Sequence, residues 1–330
     1  MTNEDILEMI ATQSNGNDIS GLVKFLRRAL RGSGSNTRRW LGLGETSLDL
    51  TAKACEKAMS GLGKGENIDL IICAGVYPEL IEPSTANLVA RELGLYGVEC
   101  FDMKEACDGW MKAVKLAHAL IANGMYRRIM VVNGEFVMTS GFGIYPELFN
   151  LSSPDQLEWR FPAYTLGEAA AATILGPGSG DENWRFSNIT RNDLFDLCSI
   201  TPSWYSRQKG SSPKVAKDKP GLFTSYGGEL RGEGFPIAVN MFKNSWIKPE
   251  ETDILFTHSS SKKDWDDGAR AVGLSDKIYD IYATHGNVVS AAIPAAMATA
   301  LEDGTLKRGQ RVAAWVASAG MSFSIASFTF

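Results

Sequence analysis

The sequence predicts an α/β protein made of two similar halves, each a mostly parallel sheet covered by helices. Three observations carry this. Short, nearly continuous apolar runs such as Asp69-Leu70-Ile71-Ile72-Cys73-Ala74-Gly75 and Ile129-Met130-Val131-Val132 read as strands covered on both faces. Between them lie stretches with apolar residues at three- and four-residue steps, so the strands are joined by helical crossovers and pair in parallel. The second part of the chain repeats the first: Asp253-Ile254-Leu255-Phe256-Thr257-His258 resembles the run at Asp69, and Gln310-Arg311-Val312-Ala313-Ala314-Trp315-Val316-Ala317 parallels Arg128 to Val132. Each of the latter pair follows an apolar helix ending at a glycine, Gly124 or Gly304. We place the halves at residues 1–178 and 179–330, related by a pseudo-twofold axis with functional loops meeting at the centre.

Composition narrows the functional classes. A chain of 330 residues, 44% hydrophobic and 22% charged, can bury a large core. No run approaches the roughly 18 consecutive apolar residues of a membrane span. The start, Met1-Thr2-Asn3-Glu4-Asp5, is acidic and polar where a signal peptide is basic and then apolar, so a cytoplasmic protein without a membrane partner is expected. The five cysteines are odd in number and lack CxxC spacing, and the three histidines (His118, His258, His285) are not clustered; neither disulfides nor a metal site is expected. A formal charge of −5 argues against general nucleic-acid affinity. One basic patch departs from that balance: Lys24, Arg27, Arg28, Arg31, Arg38 and Arg39 fall within sixteen residues around a flexible Gly32-Ser33-Gly34-Ser35. It reads as a solvated helix face or as a landing site for an anionic partner such as a phosphopantetheine carrier or coenzyme A.

In chain order, residues 4–30 read as helix interrupted at Asn15-Gly16-Asn17, and 46–61 as a second helix. After the strand at 69–75, Pro83-Ser84 opens a helix that ends at Gly94. A strand runs up to Met103, and a strongly periodic helix follows through Trp110, Ala113, Val114, Ala117, Leu120 and Ile121 to Asn123-Gly124. Residues 136–166, irregular and aromatic, read as a pocket wall, a subunit contact or a peripheral aromatic cluster. The small side chains of Gly167 to Gly176 return the chain to the sheet, and 199–234, rich in Gly, Ser, Pro and Lys, reads as a mobile surface loop.

Three polar features carry chemistry. Cys107 lies between a strand and the periodic helix, where unpaired N–H groups and the positive helix end favour thiolate; alternatively it is a small buried apolar residue. His258 closes an apolar strand, where open α/β sheets bind ligands, or is a satisfied core histidine. Asn287 precedes another apolar helix and could be a turn or cap residue.

Taken together, Glu105-Ala106-Cys107-Asp108-Gly109, His258 with three small residues after it, His285-Gly286-Asn287-Val288-Val289-Ser290-Ala291-Ala292, and Asp303-Gly304-Thr305-Leu306-Lys307-Arg308-Gly309-Gln310 followed by Ser318-Ala319-Gly320 resemble the β-ketoacyl-acyl-carrier-protein synthase III group of the thiolase superfamily. The resemblance spans nearly the whole chain. It implies a five-layered αβαβα thiolase fold, a homodimer, no cofactor beyond acyl-CoA or acyl-ACP thioesters as substrates, and a Cys-His-Asn triad at Cys107, His258 and Asn287. Cys107 would hold the acyl group covalently, and the N–H groups of Cys107 and Gly320 would meet the oxyanion. His258 and Asn287 would serve as neutral donors to an enolate. Cys107 would need no dedicated base if the helix lowers its pKa. His285 would support the Asn287 loop, and His118 would be structural.

Two departures sharpen the expectation. Twenty-five residues before the cysteine, where synthase III enzymes insert an apolar side chain into the neighbouring subunit, this chain has Glu82. A carboxylate there resembles the head-to-head condensing enzymes and stand-alone α-pyrone synthases, in which the inserted glutamate removes an α-proton from the second acyl chain. This implies condensation without decarboxylation to a 3-oxo or α-pyrone product. Alternatives are Glu79 or Glu105 as the acid, a solvated loop glutamate, a decarboxylative synthase using malonyl-ACP, a same-fold acyltransferase, and a non-enzymatic subunit. The resemblance also implies a strand and proline turn ahead of Thr2-Asn3, inside the first sheet, so the sequence as given is expected to leave a gap there.

Overall fold

The computed structural model describes residues 1–14, 20–178 and 183–330. The chain opens with α1 (Asn3–Gln13), α2 (Ser20–Ser33) and α3 (Ser47–Met59), with Thr2 and Thr46 as N-caps of the first and third. The interruption read at Asn15-Gly16-Asn17 lies outside the described residues. The first half continues as β1 (Leu70–Gly75), α4 (Thr85–Glu92), β2 (Glu99–Lys104), α5 (Gly109–Ala122), β3 (Ile129–Glu135), the short α6 (Leu157–Arg160) and β4 (Ala169–Leu175). The second comprises β5 (Arg185–Thr190), β6 (Cys198–Ile200), β7 (Phe223–Ser225), α7 (Gly227–Lys243), β8 (Ile254–Thr257), α8 (Lys262–Ala271), β9 (Ile278–Tyr279), α9 (Tyr282–His285), α10 (Ala292–Glu302), β10 (Arg311–Ser318) and β11 (Ser322–Thr329). The division expected after residue 178 abuts residues 179–182, which are not described.

The internal repeat is visible in the sheets. The first runs β2-β1-β3-β4 and the second β5-β11-β10-β8-β9. In each, two parallel pairings (β1 with β2 and β3; β8 with β9 and β10) are followed by an antiparallel one (β3 with β4; β10 with β11). β1 explains the unbroken apolar runs: Leu70 and Ile72 pack into a layer between the sheets with α5 and α10, while Ile71 and Cys73 pack outward against α3 and α4. On the far side Leu255, Ala313 and Trp315 pack against α7 and α8. The result is the five-layered αβαβα thiolase fold.

The two sheets differ by one strand. β5 pairs antiparallel along the outer edge of β11, whereas β4, the equivalent strand, has only β3 beside it among the described residues. The first sheet is therefore a strand short, but not by an internal gap. β1 and β3 pair directly, and by internal symmetry the missing position is at the edge.

The segment 199–234 is not the mobile loop that its composition suggested. β6 and β7 form a two-stranded sheet, α7 begins at Gly227, and Val215, Ala216 and Leu222 are buried. Asp218 anchors it: its carboxylate accepts from Arg160 Nε at 2.8 Å and Trp159 Nε1 at 3.0 Å, and Arg160 also donates to the Asn150 carbonyl at 2.7 Å. Gly, Pro and Ser mark irregular backbone, and irregular backbone can be firmly held. Asp218→Asn leaves a buried guanidinium short of its counter-ion and is expected to cost about 3 kcal/mol in chemical denaturation with an unchanged slope. No measurable change would mean that the segment is held by other contacts.

Candidate active site

The site is built where the ends of β2, β3, β8 and β10 converge. β2 finishes at Lys104, and Glu105-Ala106-Cys107-Asp108 turns the chain into α5. This turn is fastened to the other half: the Asp108 N–H donates to Ser318 Oγ at 3.2 Å, and the fully buried Asp108 carboxylate accepts from Ser322 and Ser324 at 2.9 and 2.7 Å. Burial pushes Asp108 up to about 6 against those bonds. Glu105 is paired with Lys112, accepts from the Ala106 N–H and does not line the cavity that holds Cys107.

His258, 3% exposed, follows β8, and its backbone N–H donates to the Trp315 carbonyl at 3.0 Å. Burial pulls the imidazole down to about 4, with a backbone hydrogen bond to Val289 opposing, so the ring is neutral near pH 7. Asn287 is held by its main chain between two carbonyl contacts: its N–H donates to the Thr165 carbonyl at 2.8 Å, and its own carbonyl accepts from Gly167 at 2.9 Å. Its side-chain Oδ1 accepts from the Val289 N–H at 3.0 Å, leaving the amide N–H₂ as the available donor. Gly320 sits in the turn between β10 and β11 at φ +118°, a conformation that favours glycine. Among the described residues neither the Gly320 N–H nor the Cys107 N–H is bonded to a backbone carbonyl, and the Cys107 N–H lies against its own sulfur.

Cys107, His258 and Asn287 line one cavity of about 760 Å³, with Ser318, Ala319 and Met321 beside them. Phe142, Ile144, Phe161, Ile200 and Phe223 make its walls apolar, so the aromatic segment 136–166 is partly pocket wall. α2 contributes Phe25, Ala29 and Ser33 to the rim, the first 59% exposed, and carries exposed Lys24, Arg28 and Arg31 alongside. Arg38 does not belong to that patch: it is 1% exposed and donates to Asn3 Oδ1 at 2.8 Å, and burial pushes it down to about 10. Glu82 lies outside the cavity of its own chain, exposed next to Ile81, itself 82% exposed. Glu79 lines a separate, smaller cavity. His118 packs on Trp184 and Phe186, and His285 contacts Thr284 Oγ1 at 2.9 Å at the end of α9.

One expectation is reversed. Cys107 was expected to be acidified by the helix, yet burial raises the thiol well above its ordinary value, with Cys198 and Glu135 adding to the effect. The helix begins only at Gly109, and the sulfur lies in an apolar cavity where an uncompensated anion is disfavoured. Sequence reading also missed Glu135, Asn133 and Ser290, which are buried together beneath the cavity. The available signal was a polar Asn-Gly-Glu ending an otherwise apolar strand.

Two families match parts of the chain: 3-oxoacyl-[acyl-carrier-protein] synthase III over residues 101–141, and the C-terminal region of that synthase over 242–330. β-Ketoacyl-[acyl-carrier-protein] synthase III from Symbiobacterium thermophilum is 28% identical over 97% of this chain and 91% of its own length; that from Aliarcobacter butzleri is 29% identical over 90% and 87%. Among solved structures, OleA from Xanthomonas campestris with bound lauric acid and lauroyl-CoA is similar at TM-score 0.82 (22% identity, 100% of this chain and 95% of that one). The synthase III from Aquifex aeolicus is similar at 0.78 (21%, 100% and 95%).

A raised thiol pKa sets a testable pH dependence. The neutral form persists through the working range, and the thiolate fraction climbs as pH approaches the raised value. Iodoacetamide labelling of Cys107, followed by peptide mass spectrometry, is therefore expected to accelerate about tenfold per pH unit from roughly pH 7 to beyond pH 9. A plateau near neutral pH would restore the acidic thiol.

Proposed function

We propose that the chain is a synthase III-like ketosynthase of the thiolase superfamily that joins two acyl thioesters, carried by CoA or acyl carrier protein, without decarboxylation. The observation that carries this reading is the convergence of Cys107, His258 and Asn287 on one large apolar cavity.

In the first half-reaction the Cys107 sulfur attacks the thioester carbonyl. Its proton passes through the neutral His258 to the departing thiol, because burial disfavours a standing thiolate. The oxyanion is met by the N–H groups of Cys107 and Gly320, neither of which is bonded to a backbone carbonyl. In the second half-reaction a base removes the α-proton of the other thioester, and the enolate oxygen accepts from Asn287 and His258. The resulting carbanion attacks the acyl carbon, and the Cys107 thiol is regenerated. The protein needs no resident cofactor for these steps.

The base in this reading is Glu82 of the partner subunit in a homodimer. Support comes from its exposure beside a bare isoleucine: an apolar side chain left in water next to a carboxylate suits insertion into a second copy. The product is a 3-oxo thioester or, where the Cys107-bound acyl group itself carries a 3-oxo group, an α-pyrone, formed when the enol oxygen of the 5-oxo group attacks the remaining thioester and expels its thiol. Exposed cations on α2, beside a cavity rim, suit an anionic carrier or a CoA phosphate. The names of the sequence relatives favour a second reading, decarboxylative condensation with malonyl-ACP.

Carboxyl-labelled malonyl thioester separates the two. Glu82→Gln is expected to lower condensation by on the order of 10²- to 10³-fold, while mass spectrometry still finds acyl-Cys107. Release of labelled carbon dioxide with turnover intact in that variant would instead establish the decarboxylative route.

A further inference from the structure

The buried carboxylate at the end of β3 has no place in the chemistry above, yet its hydrogen bonds lead to the donor groups. Glu135 is 0% exposed. It accepts from the N–H groups of Val76 and Tyr77 at 3.1 Å each, from Ser290 Oγ at 2.5 Å and from the Ser290 N–H at 3.4 Å. Among the described residues no salt bridge reaches it; Lys104, whose Nζ donates to the Val76 carbonyl at 2.8 Å, is the cation that feels its charge. Asn133 Nδ2 adds a bond to the same Ser290 hydroxyl at 3.0 Å. Room for this contact depends on Gly75: at φ +155°, a Cβ there would lie 2.4 Å from Glu135 Oε1 and 2.9 Å from Ser290 Oγ.

Ser290 follows Val289, whose φ of +51° is a conformation that a β-branched residue holds only when its surroundings over-determine it. The N–H of this strained residue is the one that fixes Asn287 Oδ1 at 3.0 Å and so turns the amide N–H₂ to the cavity. His258 depends less on this turn, because its backbone is tied to Trp315 at the end of β8.

We infer that Glu135, acting through Ser290 and the strained Val289, is a positioning residue for the Asn287 carboxamide, so that an acid of the first half aims an enolate donor of the second. The inference rests on the two-step condensation proposed above. Glutamine at 135 keeps the shape but presents an amide donor to groups that are themselves donors, which frees Ser290 and lets Val289 relax. A displacement of about 1 Å in a positioned group costs up to roughly 10²-fold in rate.

The test measures the two half-reactions separately in the full-length protein, with lauroyl-CoA as the donor. In Glu135→Gln, condensation is expected to fall roughly 10- to 100-fold, while the rate of Cys107 acylation by intact-protein mass spectrometry is retained. Ser290→Ala is expected to fall in the same half-reaction but by less. In an Asn287→Ala background, Glu135→Gln is expected to add nothing further, the signature of residues acting through one another. Acylation and condensation falling together would make Glu135 a structural residue only, and unchanged condensation in Ser290→Ala would overturn the relay even if Glu135→Gln failed to fold. If the unmodified protein took no acyl group on Cys107 from lauroyl-CoA or from other acyl thioesters, the ketosynthase reading itself would fail, a result distinct from either of these.

Discussion

The rest of the molecule depends on one apolar layer shared by both sheets. Trp110, Ala113, Val114 and Ala117 of α5 and Ala292, Ile293, Ala296 and Ala300 of α10 are buried together with Leu70 and Ile72 from one sheet and Phe256, Val312 and Ala314 from the other. Neither half could keep that surface in water, because covering it is what removes the inner faces of both sheets from solvent. Once the sheets share a core, the loops at their strand ends have to meet, and the residues on those loops come together from positions as distant as Cys107 and Asn287. The convergence is a consequence of burial and requires no attraction between the catalytic groups themselves.

The same burial sets the electrostatic character of the site. A thiol pushed up and an imidazole pulled down to about 4 leave two neutral groups lining the same cavity, not an ion pair. In the proposed reaction charge would develop only transiently, where fixed N–H donors meet it without reorganising. An acyl-cysteine carries no charge, so the desolvation that disfavours the thiolate does not disfavour the intermediate. The apolar walls that raise the thiol would also keep water from a thioester formed on Cys107. A more exposed cysteine would ionise more readily and lose its acyl group to water more readily.

How far the sequence revealed this differed by the kind of signal. The strands at 70–75, 129–135, 254–257 and 311–318 were legible because residues covered on both faces leave unbroken apolar runs. The repeat was legible because both halves use the same order of strand and helix. The segment 199–234 was misread because Gly, Ser and Pro report irregular dihedral angles, whereas the bonds of Asp218 to Trp159 and Arg160 span nearly sixty residues and leave no local mark. Arg38 looked like part of a surface patch for the same reason, since its burial is decided by its packing beside Asn3 and Gly286. The expected ionisation of Cys107 failed because a helix end is a local feature and desolvation is a property of the whole cavity. The buried bonding of Glu135 was invisible in the sequence: its partners Val76, Tyr77 and Ser290 meet it only after folding.

The two carboxylates either side of the nucleophile do what the apolar layer cannot. Hydrophobic contact holds the halves at a fixed distance but has no direction, and a sliding error of one ångström would cost it little. Asp108 accepts hydroxyls from Ser322 and Ser324, and Glu135 accepts the hydroxyl of Ser290; in both, an acid of the first half binds serines of the second. Each bond is buried, so losing its alignment leaves a desolvated oxygen unsatisfied, a penalty that rises steeply with displacement. Register between the halves is therefore fixed by these bonds, one set beside the turn that carries Gly320, the other beside the turn that carries Asn287. The condensation proposed above would need Cys107 of one half held against Asn287 and His258 of the other to within a fraction of an ångström, and these directional contacts lie on the turns that carry Cys107 and Asn287.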